Sequence, residues 1–135
     1  MAGFSDLIWQ WYGAEEHERI AAICEAIPAL GFLAMDAELQ QITIPDCPVC
    51  EVWSSKMLPI YATLEACGAA LPDDVGLLLA RVWGLCQSLN DLELPCYDRT
   101  IFELEQWQLL RDSASELLIA MESAAIEPFL SELSH

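Results

Sequence analysis

Cys47-Pro48-Val49-Cys50 is the segment of this chain whose residue types and spacing come nearest to chemistry of their own. A Cys-x-x-Cys where a helix begins has a lowered thiol pKa and supports disulfide exchange. The flanking sequence speaks against that use. A thioredoxin-like site needs a strand before the pair and a βαβ scaffold around it, and the rest of the chain patterns as helix. A helical peroxide-reducing site needs a Glu three residues before the pair and a His four after it to relay the proton, yet Ile44 and Ser54 stand at those places.

The same pair could contribute to a zinc site, but a closed site takes four ligands. Cys24, Cys67, Cys86 and Cys96 each occur singly, and His17 and His135 are far apart. Cys24, Cys67 and Cys86 sit on or beside apolar stripes, where a thiol behaves as a small hydrophobe. Glu132-Leu133-Ser134-His135 has the Glu-x-x-His spacing of di-iron bundles but no second copy, because Ala14 holds the matching place before His17. There is no Gly-x-Ser-x-Gly, no phosphate-cradling glycine loop, and no Ser or Cys with a histidine close in sequence. The expectation is a protein that is not an enzyme and holds neither metal nor cofactor.

Charge is the stronger signal. The chain carries 22 Asp and Glu against 5 Lys and Arg, a net −17 over 135 residues, in a sequence that is 55% hydrophobic. A disordered acidic tail lacks apolar residues to bury, so these carboxylates must coat a folded body. Such a surface repels phosphate backbones and anionic lipid and attracts basic proteins. Arg19, Lys56, Arg81, Arg99 and Arg111 are scattered singly and form no stripe that could track nucleic acid. Direct nucleic-acid or membrane binding is therefore not expected.

The opening Met1-Ala2-Gly3-Phe4-Ser5-Asp6 lacks the basic region of a secretory signal, and the apolar run from Ala21 to Met35 is broken by Glu25 and Pro28. Together these predict a cytoplasmic protein, in which the six cysteines are reduced thiols.

Helical periodicity dominates the elements that must carry these residues. After Pro72, Asp73 and Asp74 suit a helix start, and Val75, Leu78, Leu79, Val82, Cys86 and Leu89 recur at three- and four-residue steps until Asn90-Asp91. A second long helix begins near Asp98 to Thr100, with Ile101, Leu104, Trp107, Leu110, Ala114, Leu117, Leu118 and Met121 inward and Glu105, Asp112 and Glu116 outward. A first helix spans about Ser5 to Ala26, kinked at Gly13, with Ile20, Ile23, Cys24 and Ile27 buried and Pro28 and Gly31 ending it. Another covers Glu51 to Cys67, bends at Pro59, and turns Trp53, Met57, Ile60, Tyr61 and Leu64 inward. Leu39 to Cys50 has β-like character, and a short acidic helix ends the chain near Leu133. These elements predict an all-α fold, residues 1–135 forming one acidic domain, a bundle of four to five helices.

The expected function is occlusion of a basic protein partner, as an immunity protein does to a toxin. The same physics fits an anti-CRISPR or antirestriction inhibitor. Two further readings are an acidic secretion chaperone or adaptor and a helical redox or metal enzyme using Cys47 and Cys50. The candidate partner-binding residues are Glu105, Asp112 and Glu116, then Glu15, Glu16 and Glu18, with Trp9 as an aromatic anchor. Against that role for Trp9, Phe4, Ile8 and Trp11 are expected to enter the bundle while Trp9 covers a neighbouring helix.

Overall fold

The computed structural model describes residues 3–44, 47–95 and 98–134, and among these it is helical with no strand. Cys96 and His135 lie outside the described residues. The helices are α1 (Phe4–Gly13), α2 (His17–Leu33), α3 (Ala37–Thr43), α4 (Pro48–Val52), α5 (Leu58–Cys67), α6 (Asp73–Asp91), α7 (Glu105–Ala120), α8 (Ser123–Ile126) and α9 (Leu130–Leu133). A π turn, Trp53–Met57, joins α4 to α5, and 3-10 turns precede α6, α7 and α9. With α4 and α5 taken as one interrupted helix, and α8 and α9 likewise, the described chain has seven helices rather than four to five.

Four of them make the framework: α2 packs on α5 and α7, and α6 packs on α5 and α7, closing a ring. The enclosed core includes Ile23, Ile27 and Leu30 of α2, Ile60 of α5, Leu79, Val82 and Cys86 of α6, and Trp107, Leu110 and Leu117 of α7. α6 and α7 run antiparallel. One cleft between them brings Asp74 and Val75 beside Ala120 and Glu122, and another brings Leu89 and Asn90 beside Ile101 and Trp107.

Several boundaries depart from the periodicity, each for a local reason. The first helix is two helices, because the chain turns through Glu15 in left-handed backbone at φ 59°. α2 then runs past Pro28 and Gly31 to Leu33. Pro28 lies on its exposed side, where a missing backbone donor is tolerated best. Leu39 to Thr43 is helix rather than β: Asp36 accepts the Leu39 N–H at 2.9 Å and starts α3. α7 begins at Glu105, the residues before it forming the 3-10 turn Arg99–Glu103.

The largest correction concerns the Glu51 to Cys67 segment. Pro59 has no N–H for the carbonyl of Ser55, and the ladder slips to i→i+5 bonding, with the Leu58 N–H donating to the carbonyl of Trp53. The hydroxyls of Ser54 and Ser55 donate to the carbonyls of Cys50 and Glu51 at 3.0 and 2.6 Å. Because the slip rotates the helix beyond it, Thr63 and Cys67 face the core and Tyr61, expected inward, is exposed.

Candidate partner-binding surface

The five cations are all engaged within the molecule, two of them on backbone. Arg111 is 8% exposed and has no carboxylate partner among the described residues. Its Nε donates to the carbonyl of Met35 at 2.6 Å, Nη1 to Gln108 Oε1 at 2.6 Å, and Nη2 to Gln40 Oε1 at 2.8 Å and the carbonyl of Phe102 at 3.1 Å. Gln40, fully buried, passes the connection on: its Nε2 donates to the carbonyls of Phe32 and Leu33 at 3.0 and 3.3 Å. These are last-turn acceptors of α2, of which the Phe32 carbonyl also accepts the Met35 N–H at 3.1 Å. Arg99 Nη1 likewise donates to the carbonyls of Gln41 and Ile44 at the end of α3.

The other three cations sit near the surface. Arg19 pairs with Glu16 at 3.9 Å and covers the Trp11 ring at 5.4 Å. Arg81 of α6 pairs with Glu116 of α7 at 3.4 Å, and Lys56 lies 5.4 Å from the Phe32 ring centroid. Only Glu16 and Glu116, among the described residues, are thereby ion-paired. Every described Asp and Glu is exposed except Glu16 and Asp98, which are half-buried.

Glu105, Asp112 and Glu116 fall on one outer face of α7 together with Leu109 and Ile119, a 4-3-4-3 spacing that keeps all five in line. Asp112 accepts the Gln108 Nε2–H at 2.8 Å and Glu116 carries the Arg81 pair, so this face is partly tied down. Across from it on α6, Leu77, Arg81, Gly84, Ser88 and Asp91 repeat the spacing and are all exposed. Leu77 and Ile119, 74% and 79% exposed, stand at one end of this two-helix face, and Asp91 and Glu105 stand at the other.

Glu15, Glu16 and Glu18 do not share a helix face. Glu15 is in the turn, Glu16 is the N-cap of α2, and Glu18 is in its first turn. No hydrogen bond or ion pair among the described residues joins them to the α7 row. Trp9 is 37% exposed and packs edge-on against Phe129 at 5.4 Å and Tyr12 at 5.7 Å, while Phe4, Ile8 and Trp11 are buried. It covers the C-terminal segment and keeps part of its ring in solvent.

A second aromatic group is not apparent from the sequence. Trp83 of α6 lies 5.6 Å from Trp53 and 5.1 Å from Tyr61, with ring planes tilted by 31° and 36°. Tyr61 hydrogen-bonds Glu65, which holds its phenol proton above the usual range. Trp53 and Trp83 wall a groove that runs over Gly84 to the end of α6 at Asn90 and Asp91. An exposed glycine in mid-helix beside a Trp was the available signal.

Cys47 is the N-cap of α4 and half-buried, and Cys50 is exposed one turn on. His17 starts α2 at the surface, remote in sequence from both. Among the described residues no three His, Cys, Asp or Glu side chains gather as a metal would require. No single helix there is long and apolar enough to cross a membrane. The bent pair α2 and α3, at 118°, has the composition for it because α2 is a core helix. No protein-family model, curated protein or solved structure matches the chain.

Proposed function

We propose that this protein binds and occludes a basic protein, with neutralisation of a toxin or effector as its biological role. The observation that carries the reading is the placement of charge. Arg111 is held by amide and backbone oxygens, and among the described residues only Glu16 and Glu116 are ion-paired, so most of the exposed carboxylates have no cation beside them. That leaves a body of net charge −17 whose described carboxylates lie almost all at the surface, the condition for steering a cationic surface into contact. Exposed apolar side chains beside that charge, Leu77, Leu109 and Ile119, supply area to exclude water once contact is made.

The test begins by capturing the partner from source cells at low salt and identifying it, then following association by stopped flow. Association should slow roughly tenfold or more as salt is raised and the Debye length falls below ~8 Å. The double reversal E105K/D112K should slow it further with little change in dissociation. The captured protein should lose its activity on binding. A rate indifferent to both salt and the reversal would remove the reading, and an unfolded client with no activity to block would reassign it to an acidic chaperone.

A further inference from the structure

We propose that the groove at the C-terminal end of α6, walled by Trp53 and Trp83, is the seat of an arginine side chain of the partner; this rests on the proposed occlusion of a basic protein and gives it an address. Three independent features meet there. The first is the aromatic wall: the Trp83 ring has Trp53 at 5.6 Å and Tyr61 at 5.1 Å, so the rings brace one another before anything binds. Rings already ordered lose little freedom on binding, and a guanidinium attracted to their faces gains most where water is partly excluded.

The second is charge. α6 has no basic residue in its last turn and ends on Asp91, whose carboxylate adds to the negative end of the helix dipole. The ends of α2 and α3 are met from inside by Gln40 with Arg111 and by Arg99. At the end of α6 the N–H groups of Leu92 and Glu93 meet the carbonyls of Leu89 and Asn90, and a cation from outside would answer the charge of the dipole and of Asp91. Gln87 and Asn90, with Asp91, line the same groove.

The third is space. A Cβ added at Gly84 would meet no atom within 4 Å, so nothing in the molecule requires glycine there. A glycine in mid-helix weakens the helix, and here its effect is to leave the groove floor open. Arginine fits this combination better than lysine, because a planar fork can lie against an indole while donating sideways to a carboxylate and an amide, whereas an ammonium makes a point contact.

The experiment titrates the 15N-labelled full chain with N-acetyl-arginine amide and, in parallel, with N-acetyl-lysine amide at low salt. The arginine probe should shift the indole signals of Trp53 and Trp83 and the amide of Gly84 saturably, with the lysine probe at least threefold weaker. G84M should abolish those shifts while circular dichroism shows the fold retained, and D91N should weaken binding about threefold. Shifts spread evenly over the carboxylate-bearing surface, equal affinity for the two probes, or a titration that G84M leaves unchanged would overturn the proposal. Its failure is separable from that of the parent reading. Salt-steered association with the captured partner that G84M does not alter removes only the groove, whereas association that ignores salt removes the anionic steering itself.

Discussion

The C-terminal ends of α2 and α6 meet the same physical demand in opposite ways. Both helices finish with carbonyls that lack intrahelical donors and with the negative end of a dipole. At α2 the answer is internal: Gln40 bonds the carbonyls of Phe32 and Leu33, and Arg111 bonds Gln40 and the carbonyl of Met35. At α6 the backbone alone closes the end, the Leu92 N–H donating to the carbonyl of Leu89 at 3.2 Å and the Glu93 N–H to that of Asn90 at 3.4 Å, and the residue placed there is Asp91, with Gly84 two turns before it and an open groove alongside. The contrast separates a helix end braced by a buried side-chain network from one closed by backbone alone, where an acidic residue and a mid-helix glycine carry a stability cost. Such costs concentrate where a protein meets its ligands.

The comparison breaks most sharply at Arg111. R111M leaves the carbonyls of Met35 and Phe102 and the Gln40 amide oxygen without their donor, and should cost about 3 kcal/mol in urea denaturation at unchanged m-value. Q40L should cost about 2 kcal/mol, and the double variant less than the sum, since the two share a hydrogen bond. A loss under about 1 kcal/mol for R111M would show that the guanidinium contributes only packing.

A smaller effect distinguishes the inner face of α6 from its outer one. Burial pushes the Cys86 thiol up to about 12 from the usual 9.0, and burial, opposed by Arg19, pushes Cys67 to about 11. These thiols stay protonated in the folded chain while the unfolded chain ionises. Their contribution is therefore complete below pH ~9 and declines as pH rises through the folded values, by up to about 1.4 kcal/mol per pH unit for each thiol. The slope of stability between pH 9 and 11 should flatten in C67A/C86A relative to the wild type. Tyr61 titrates in both chains and drops out of that difference. An unchanged slope would mean that the two thiols are not shielded.

The smallest expected change has the opposite sign. G84A should stabilise the protein by roughly 0.5–1 kcal/mol, because it removes a helix-interior glycine at a position with open space. D91N should add a few tenths by relieving the helix end. Thermal melts check both, and a destabilised G84A would mean that the glycine serves the fold.

Sequence alone made α6 legible, since its buried residues Val75, Leu79, Val82, Cys86 and Leu89 repeat at helical steps and its outer side is mostly polar. The outward carboxylates were legible for the simplest reason, that an ionised group resists burial. Arg111 and Gln40 were not, because a polar residue enters a core only when tertiary neighbours supply its partners, and those neighbours are distant in sequence. α3 was hidden in a stretch with Ile and Thr among its residues, where Asp36 as a cap outweighs β propensity. The groove was hidden because its wall comes from two elements brought together only by packing.

Trp53 and Tyr61 are eight residues apart, a spacing that puts two side chains well off a common line in an unbroken α-helix, where seven is the near repeat. The wider turn at Trp53–Met57 takes up the extra residue, so the eighth position behaves as the seventh and both rings reach Trp83. In geometric terms the segment is equivalent to a regular helix with one residue inserted. Removing one residue there would let the turn close to regular helix with everything downstream in α5 in its present phase, whereas closing the turn without shortening the chain would rotate α5 by about 100° and turn Tyr61 away from its stack and Thr63 and Cys67 away from the core together. The aromatic wall and the interior beneath it are therefore set by one phase, and neither can drift in sequence length without the other.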